Sequence, residues 1–599
     1  MPNKTWARRI VNGLPLVLLA VVTAALFAPS LGYPLMIGWD DPQHVTENTR
    51  LAFTWANTGY WWHHAIVGIY MPVTMLTYMV DHAIWGLNPL GYRLQSLIWH
   101  LVAVLAFWGC CRRLGVRTGP ATLVALLFAI HPQRVESVAW ISERKDVLCA
   151  ALYFLSLYLY LGRTENGRFP WTAWLIFVLA LLSKPMAVSL PFVILGVEFY
   201  RRRNGDWRYY LRQIWPWLLA AVAIMAITAN LQVVEYHHML SWSRIVLAVV
   251  HNIFWYVDMT LFPRELGPIY PRLTMTPLVV MQLVGFYLLA AGAAYWTWRQ
   301  GRARLYFCVL PVTAAFLTAL APVAAMIHAS YIDYADRYSY IPSAFLWFAL
   351  AWLWQLGWQS GAARLRKFRA VLAVVIIGYG VYLAGYTGYY LKTWANLYDM
   401  LQITCMREHP NDIALCELAW QEQNRGNVQE VVALADRLEH NIRPWMTSED
   451  ILGQKVYANY FRANVLFSQG YHQEAEKLFL EILRTSDYDS FYRGDYYLTI
   501  LADLYRIRME NHDVTGAKKC LDKLLHGYEL HGDPNQFKYH FYLGMKALLE
   551  HRESEAERSF ARALELEPDD TACRENLRQV RKRLAEKPPR TPALPAGRP

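Results

Sequence analysis

Long apolar runs separated by short polar loops fill the first two thirds of the chain, and the pattern changes near residue 392. The first run, 10–28, follows Lys4, Arg8 and Arg9. It has no convincing small-residue cleavage site and more runs follow, so it reads as a membrane helix rather than a removed leader. Further runs lie at roughly 94–111, 119–131, 147–161, 171–183, 186–200, 214–230, 276–297, 305–322, 341–358 and 370–391. Several are shorter than the ~20 residues an isolated span needs, which leaves the middle boundaries soft. The apolar stretch 244–262 carries His251, Asn252 and Asp258 and runs into Pro263-Arg264-Glu265. It fits an interfacial or re-entrant helix better than a crossing.

Charge then orients the spans. Arg112, Arg113 and Arg117 follow the second run; Arg163 and Arg168 follow the fourth; Arg201, Arg202, Arg203, Arg208 and Arg212 follow the sixth. Arg299, Arg302 and Arg304 follow the eighth, and Arg364, Arg366, Lys367 and Arg369 the tenth. Every alternate loop is basic, the positive-inside pattern of about eleven crossings with a cytoplasmic N-terminus. Residues 29–93, 132–146, 323–340 and everything beyond about 392 then share the non-cytoplasmic face.

Beyond 392 the sequence becomes polar and helix-forming. Residues 540–568 follow a tetratricopeptide pattern, with Leu543-Gly544, Ala556, Phe560, Ala563 and Pro568 at the expected offsets. Earlier units are read at Ala463, Gly470, Ala475 and Phe479; at Ala502, Ala517 and Leu521; and at Ala419, Gly426 and Ala435. Each helix pair needs a neighbour over its apolar face, so three or four pairs should stack as one solenoid, either a peptide-holding groove or a rigid spacer. The Pro- and Arg-rich tail from Lys587 reads as disordered. The expected class is all-α: a polytopic membrane domain over 1–391, a solenoid over 392–586 and a tail over 587–599.

Composition agrees and removes some alternatives. With 55% hydrophobic and 18% charged residues among 599, this is no ordinary soluble domain. The net charge of +11 falls in short clusters between apolar runs, so it signals membrane orientation and no nucleic-acid partner. Eight Cys without a CxxC spacing give no zinc or redox motif; Cys405 and Cys416 are near enough in sequence for a disulfide in an oxidising compartment.

The candidate chemistry lies in the polar segments. Asp40 and Asp41, in Gly38-Trp39-Asp40-Asp41-Pro42-Gln43-His44, fall just past the first span. Two adjacent carboxylates near a bilayer surface are either an ordinary Asp-Asp-Pro turn or a chemical centre. His63 and His64 follow in an aromatic cluster, with no spacing that enforces a metal site. The second segment holds His131, Arg134, Glu136, Arg144, Lys145 and Asp146; Lys184 sits between two runs, and Arg337 and Tyr338 precede the tenth. Arg134, Arg144, Lys145, Lys184 and Arg337 read either as snorkelling, paired charges or as a cradle for a phosphodiester.

"GWDDPQHV", "YMPVTMLTYMVDHAIWGLNPLGYRLQSLIWHLVAVLAF", "HPQRVESVAWISERKDVL" and "DRYSYIPS", followed by the repeats, resemble the transmembrane and tetratricopeptide-repeat O-mannosyltransferases of the GT-C glycosyltransferase superfamily. The likeness is specific over about 30–345 and architectural beyond. It implies a GT-C-like fold and a polyprenyl-phosphate sugar donor. Asp40 and Asp41 become the catalytic carboxylates. His131, Glu136, Asp146 and Tyr338 map onto the family's outer-face motifs. Where the family pattern has Arg-Pro after Tyr, this chain has Met71-Pro72, so a donor-phosphate contact is lost there or supplied elsewhere. The implied reaction uses one Asp as general base on an acceptor hydroxyl while cations stabilise the leaving lipid phosphate. No metal motif is present, and a divalent cation at Asp40 and Asp41 stays open. The expected setting is a bacterial inner membrane with the repeats periplasmic, or an endoplasmic-reticulum membrane with them lumenal. The acceptor would be a polypeptide held by the repeats. The rival reading is a non-enzymatic scaffold anchored by its spans.

Overall fold

The computed structural model describes residues 3–586 apart from 37, 164–168, 202–205, 232–241, 272–275, 300–302, 327–333, 360–368, 408–409, 443–445, 447, 486–493 and 532–536. The expectations for Arg168, Arg202, Arg203, Arg302, Arg364, Arg366, Lys367 and the tail fall outside the described residues.

A helix covers each of the eleven apolar runs. In chain order the first unit contains α1 (Asn3–Phe27), α2 (Trp55–Trp61), α3 (Pro72–Trp85), α4 (Pro89–Arg113), α5 (Thr118–Ala129), α6 (Val135–Ala139) and α7 (Arg144–Leu161). Then come α8 (Trp171–Ser183), α9 (Leu190–Arg201), α10 (Trp207–Leu231), α11 (Trp242–Leu261), α12 (Pro277–Arg299), α13 (Ala303–Met326), α14 (Tyr340–Gln359), α15 (Arg369–Thr393) and α16 (Leu397–Cys405). Among the described residues, five helices are long and apolar enough to cross a membrane, and four shorter apolar helices accompany them. The protein is a multi-pass membrane protein with an all-helical fold; its described residues contain no β-strand beyond the isolated bridge between Ile66 and Ile69.

Local sequence explains the helix ends that matter here. The Asn88 side chain accepts from the Leu90 amide (3.1 Å) and Pro89 occupies the first helical position, so α4 starts there. Pro72 opens α3 in the same way. Pro185 interrupts the run expected at 186–200: residues Pro185–Ser189 form a 3-10 turn and α9 begins only at Leu190.

The closest packing joins α4 to α7. A Cβ at Gly109 would lie 2.8 Å from the Tyr158 ring, so only glycine permits this approach. Arg113 then covers the same ring from the helix end, 3.6 Å from its centroid. By contrast, Leu278, Met281, Leu288 and Leu289 of α12 remain exposed, a face suited to lipid.

The chain divides into two compact units, Met1–Ala414 and Leu415–Pro599. The boundary lies beyond the expected residue 391. Short α16 and its flanks belong to the first unit, because Asn411 Nδ2 donates to the Tyr270 carbonyl (2.9 Å) and Arg407 to that of Glu265 (2.5 Å). No disulfide joins Cys405 and Cys416; both thiols are buried.

The second unit is a run of helix pairs: Ser448–Ser468 with His472–Thr485, Gly494–Glu510 with Val514–His531, and Phe537–Leu549 with Glu553–Leu566. Asp412–Asn424 and Val428–His440 precede them, and Thr571–Glu586 closes the series. Ala435, Ala463, Ala475, Phe479, Ala517, Leu521, Ala556, Phe560 and Ala563 are all buried, whereas Ala502 is only half-buried.

Candidate active site

The acidic segment is a strained turn locked from two sides. Gly38 (φ 129°) and Trp39 (φ 54°) both have positive φ, a conformation that a bulky residue adopts only when its surroundings impose it. His44 Nδ1 donates to the Asp40 carbonyl (2.6 Å), and the His44 amide donates to the same oxygen (3.0 Å). Since a carbonyl only accepts, the proton sits on Nδ1 and Nε2 carries a lone pair. Asp41 is buried, and its Oδ1 accepts from both the amide (3.1 Å) and the hydroxyl of Ser142. Asp40 stays half-exposed. Burial pushes the Asp41 carboxyl up, with the Ser142 bonds opposing it. Burial, and then Lys145, push His44 down to about 4.

Ser142 lies in the second polar segment, where the remaining charges meet. Lys145 Nζ donates to the Ser142 carbonyl (2.8 Å) and pairs with Glu143 (2.8 Å). Glu143 also faces Lys184 (3.5 Å) and Arg337 (3.6 Å). Lys184 pairs with Asp146, which also accepts from Ser137 (3.2 Å). Glu136 accepts from the Arg337 amide (2.8 Å) and from its guanidinium. Three carboxylates thus interleave with three cations in one nearly dry network. Burial raises Glu143, but Lys145, Lys184 and Arg337 outweigh it and hold the carboxyl below its usual range. Asp146 moves the other way, raised to about 7 by burial and by the Glu143 charge against Lys184.

The candidates therefore separate. Asp40, Asp41, Glu136, Lys145, Asp146, Lys184 and Arg337 come together, and Tyr338 joins them with Arg337 4.9 Å and Lys184 5.8 Å from its ring centroid. Arg337 is the most open cation, its side chain 11% exposed. Three others turn inward. Arg144 is fully buried against Asp81 (2.5 Å), Gln95 (2.9 Å) and the Tyr92 carbonyl (2.7 Å), so its donors serve α3 and α4. Arg134 binds Ser339 and lies 4.7 Å from the centroid of the Tyr340 ring. His131 caps its own turn, accepting from Gln133 N (3.3 Å) and donating through Nε2 to the Thr260 carbonyl (3.1 Å). His64 bonds the Tyr60 carbonyl (2.9 Å) and stacks on that ring. Among the described residues, no three His, Cys, Asp or Glu side chains converge on a metal position.

Glu143, Ser142, His44 and Asp81 were not singled out by sequence pattern. Asp81 gives the clearest overlooked signal, a carboxylate inside the apolar run Met79-Val80-Asp81-His82-Ala83. A charge in such a place implies a buried partner.

Residues 63–232 match the sequence family described as dolichyl-phosphate-mannose-protein mannosyltransferase. That stretch holds Asp81, Arg134, Glu136, Glu143 to Asp146 and Lys184 but neither Asp40, Asp41 nor Arg337. Human protein O-mannosyl-transferase TMTC1 is 33% identical over 148 residues, covering 22% of this chain and 17% of that protein. Human TMTC4 is 29% identical over 177 residues, 25% of this chain and 22% of that one. Protein O-mannosyl-transferase F38B6.6 of Caenorhabditis elegans is 27% identical over 165 residues, with shares of 27% and 23%. The chain thus spans less than a quarter of the length of these relatives. Among solved structures, apo ArnT from Cupriavidus metallidurans aligns over 83% of this chain and 81% of its own, with TM-score 0.34 and 17% identity. Through residues 63–232 the chain is similar to protein mannosyltransferases, the O-mannosyl-transferases TMTC1 and TMTC4 among them.

Proposed function

We propose that this protein is an integral-membrane glycosyltransferase. In this reading it moves a sugar, mannose-like by resemblance, from a polyprenyl-phosphate donor to a hydroxyl of a Ser or Thr on an exported polypeptide. The observation that carries it is the link Asp41–Ser142–Lys145, which ties the acidic turn to the buried network that holds Lys145, Lys184 and Arg337.

Asp40 is the better base, because it is half-exposed while Asp41 is buried and spends Oδ1 on Ser142. Asp40 takes the acceptor hydroxyl's proton as the oxygen attacks the anomeric carbon. The carbon–phosphate-oxygen bond breaks and its electron pair leaves with the phosphate. Arg337, with Lys145 and Lys184 behind it, stabilises that developing charge; in the resting network these cations are held by Glu136, Glu143 and Asp146. Arg134 and Arg144, directed inward, organise the segment and do not touch the donor. An apolar cavity of about 500 Å³ lies among α4, α7, α9, α13 and α14, lined by residues such as Phe107, Phe154, Val193, Phe316 and Phe345. It is suited to prenyl units of a lipid whose phosphate meets the charged ends of α7 and α14. The helix pairs of the second unit are read as a tetratricopeptide solenoid that presents the acceptor on the same, non-cytoplasmic side.

The test is transfer of label from a panel of prenyl-phosphate sugars to envelope protein by purified protein, with Asp40→Asn and Asp41→Asn as controls. Product that vanishes in Asp40→Asn supports the reading. No product from wild-type protein with any donor, or undiminished product in both variants, overturns it.

A further inference from the structure

Trp39 stands next to the proposed base in a conformation its own chemistry disfavours. Its φ of 54° would suit glycine, and Gly38 before it is also at positive φ. The Asp41–Ser142 hydrogen bonds and the two hydrogen bonds from His44 to the Asp40 carbonyl hold the turn in that state. Strain of this kind persists where the neighbourhood over-determines it, and it commonly marks a functional position.

The ring is not fully buried to repay the strain: Trp39 is partly accessible. Its centroid is 5.3 Å from that of Trp140, tilted by 57°. Trp140 is buried, with Lys145 and Arg337 each 5.9 Å from its ring centroid and the Trp394 ring 5.8 Å away, tilted by 34°. A partly accessible indole thus leans on a buried one, and the buried one also borders two cations of the charged network. Such an arrangement suits a ligand with a flat C–H face joined directly to an anion, which is a pyranosyl phosphate. The C–H bonds carry slight positive charge and meet the electron-rich face of the indole.

We propose that Trp39, backed by Trp140, is the stacking platform for the sugar ring of the lipid-linked donor and thereby a determinant of donor recognition. This rests on the glycosyltransferase reading above. The platform places the sugar between Asp40 and the cations, so that the phosphate falls on Arg337 and Lys145 while the anomeric carbon faces the base.

The experiment measures equilibrium binding of undecaprenyl-phosphate mannose and of bare undecaprenyl phosphate to the full-length protein in detergent. Wild type is compared with Trp39→Gly and Trp39→Phe. Glycine accepts positive φ freely, so the first variant removes the ring and the strain together. Expected is a loss of about tenfold for the mannosylated lipid in Trp39→Gly with less than about twofold for the bare lipid, most of it restored in Trp39→Phe. Equal weakening for both lipids means the residue only shapes the turn and overturns the proposal. No change for either lipid, as an interfacial anchor would give, also overturns it. If wild type binds both lipids equally, the platform is absent although the lipid-phosphate reading survives; if it binds neither, the donor reading itself falls.

Discussion

Asp41 Oδ1 takes two hydrogen bonds from Ser142, a residue 101 positions further along the chain. This single contact fixes the acidic turn onto the charged segment. It also divides the labour of the aspartate pair, with one carboxylate tied down and the other left open. Substitution should separate the two. Asp40→Asn is expected to lower kcat by about 10²-fold or more with an unchanged melting temperature. Ser142→Ala is expected to cost about 1–2 kcal/mol of stability, since a buried carboxylate loses a donor. Melting in detergent alongside single-turnover transfer measures both. A destabilised Asp40→Asn with proportionate activity loss would show the pair to be structural.

The cations offer a second contrast. Arg144→Ala strands Asp81, and loss of one partner of a buried pair costs about 3–5 kcal/mol, so this variant should express poorly or melt early. Arg337→Ala removes a more open side chain. Glu136 loses the guanidinium but keeps the residue-337 amide as a donor, so this variant should be destabilised less than Arg144→Ala, and it should raise KM for the lipid donor by about tenfold or more. Thermal shift and donor titration in parallel distinguish the two. Equal melting temperatures for the two variants would contradict the assignment of Arg144 to the interior.

Sequence pattern located the apolar helices because hydropathy is a property of each run by itself, and so the eleven segments emerged close to their limits. It also assembled Lys145, Lys184 and Arg337 with the aspartates, because sidedness constrains loops that share a face. It did not distinguish Arg337 from Arg144. Both are arginines in a charged segment just ahead of an apolar run, and only tertiary contact decides which of them finds Asp81. Trp39 was invisible for a related reason: a backbone dihedral of 54° is imposed by Ser142 and His44 and leaves no compositional mark. The unit boundary moved to Ala414 because Arg407 and Asn411, just past α16, are tied to Glu265 and Tyr270 by tertiary hydrogen bonds that leave no local sequence pattern.

In the second unit, two glycines should respond oppositely to alanine. A Cβ on Gly544 would sit 2.7 Å from the Phe560 ring, inside the contact between the two helices of a pair. Gly544→Ala should therefore destabilise by about 1–3 kcal/mol. Gly453, within Ser448–Ser468, has nothing within 4 Å of its Cβ position. Gly453→Ala should stabilise by about 0.5–1 kcal/mol through helix propensity. Chemical denaturation of the full-length protein, followed by circular dichroism, reads both, and shifts of the same sign would deny the helix-pair packing.

His44 supplies a pH dependence whose sign follows from its surroundings. The imidazole is buried; Nδ1 is committed to the Asp40 carbonyl, and Lys145, Glu143 and Asp40 are the charges that act on it. Burial and Lys145 lower its pKa to about 4, against about 6.5 in the unfolded chain. A base with a lowered folded pKa binds its proton first in the unfolded state. Its contribution to stability is therefore complete above pH 6.5, shrinks as the pH falls towards 4, and stays constant below that. The 2.5-unit difference corresponds to about 3 kcal/mol. Asp146, raised to about 7, also changes its proton uptake over this interval and Asp41 is raised by burial, so wild type alone does not isolate the effect. The difference between wild type and His44→Gln does, since glutamine retains a donor but cannot be protonated. That difference in melting temperature should narrow from pH 6.5 to pH 4; a constant offset over this interval would mean that His44 is already protonated in the folded turn or stays neutral in both states.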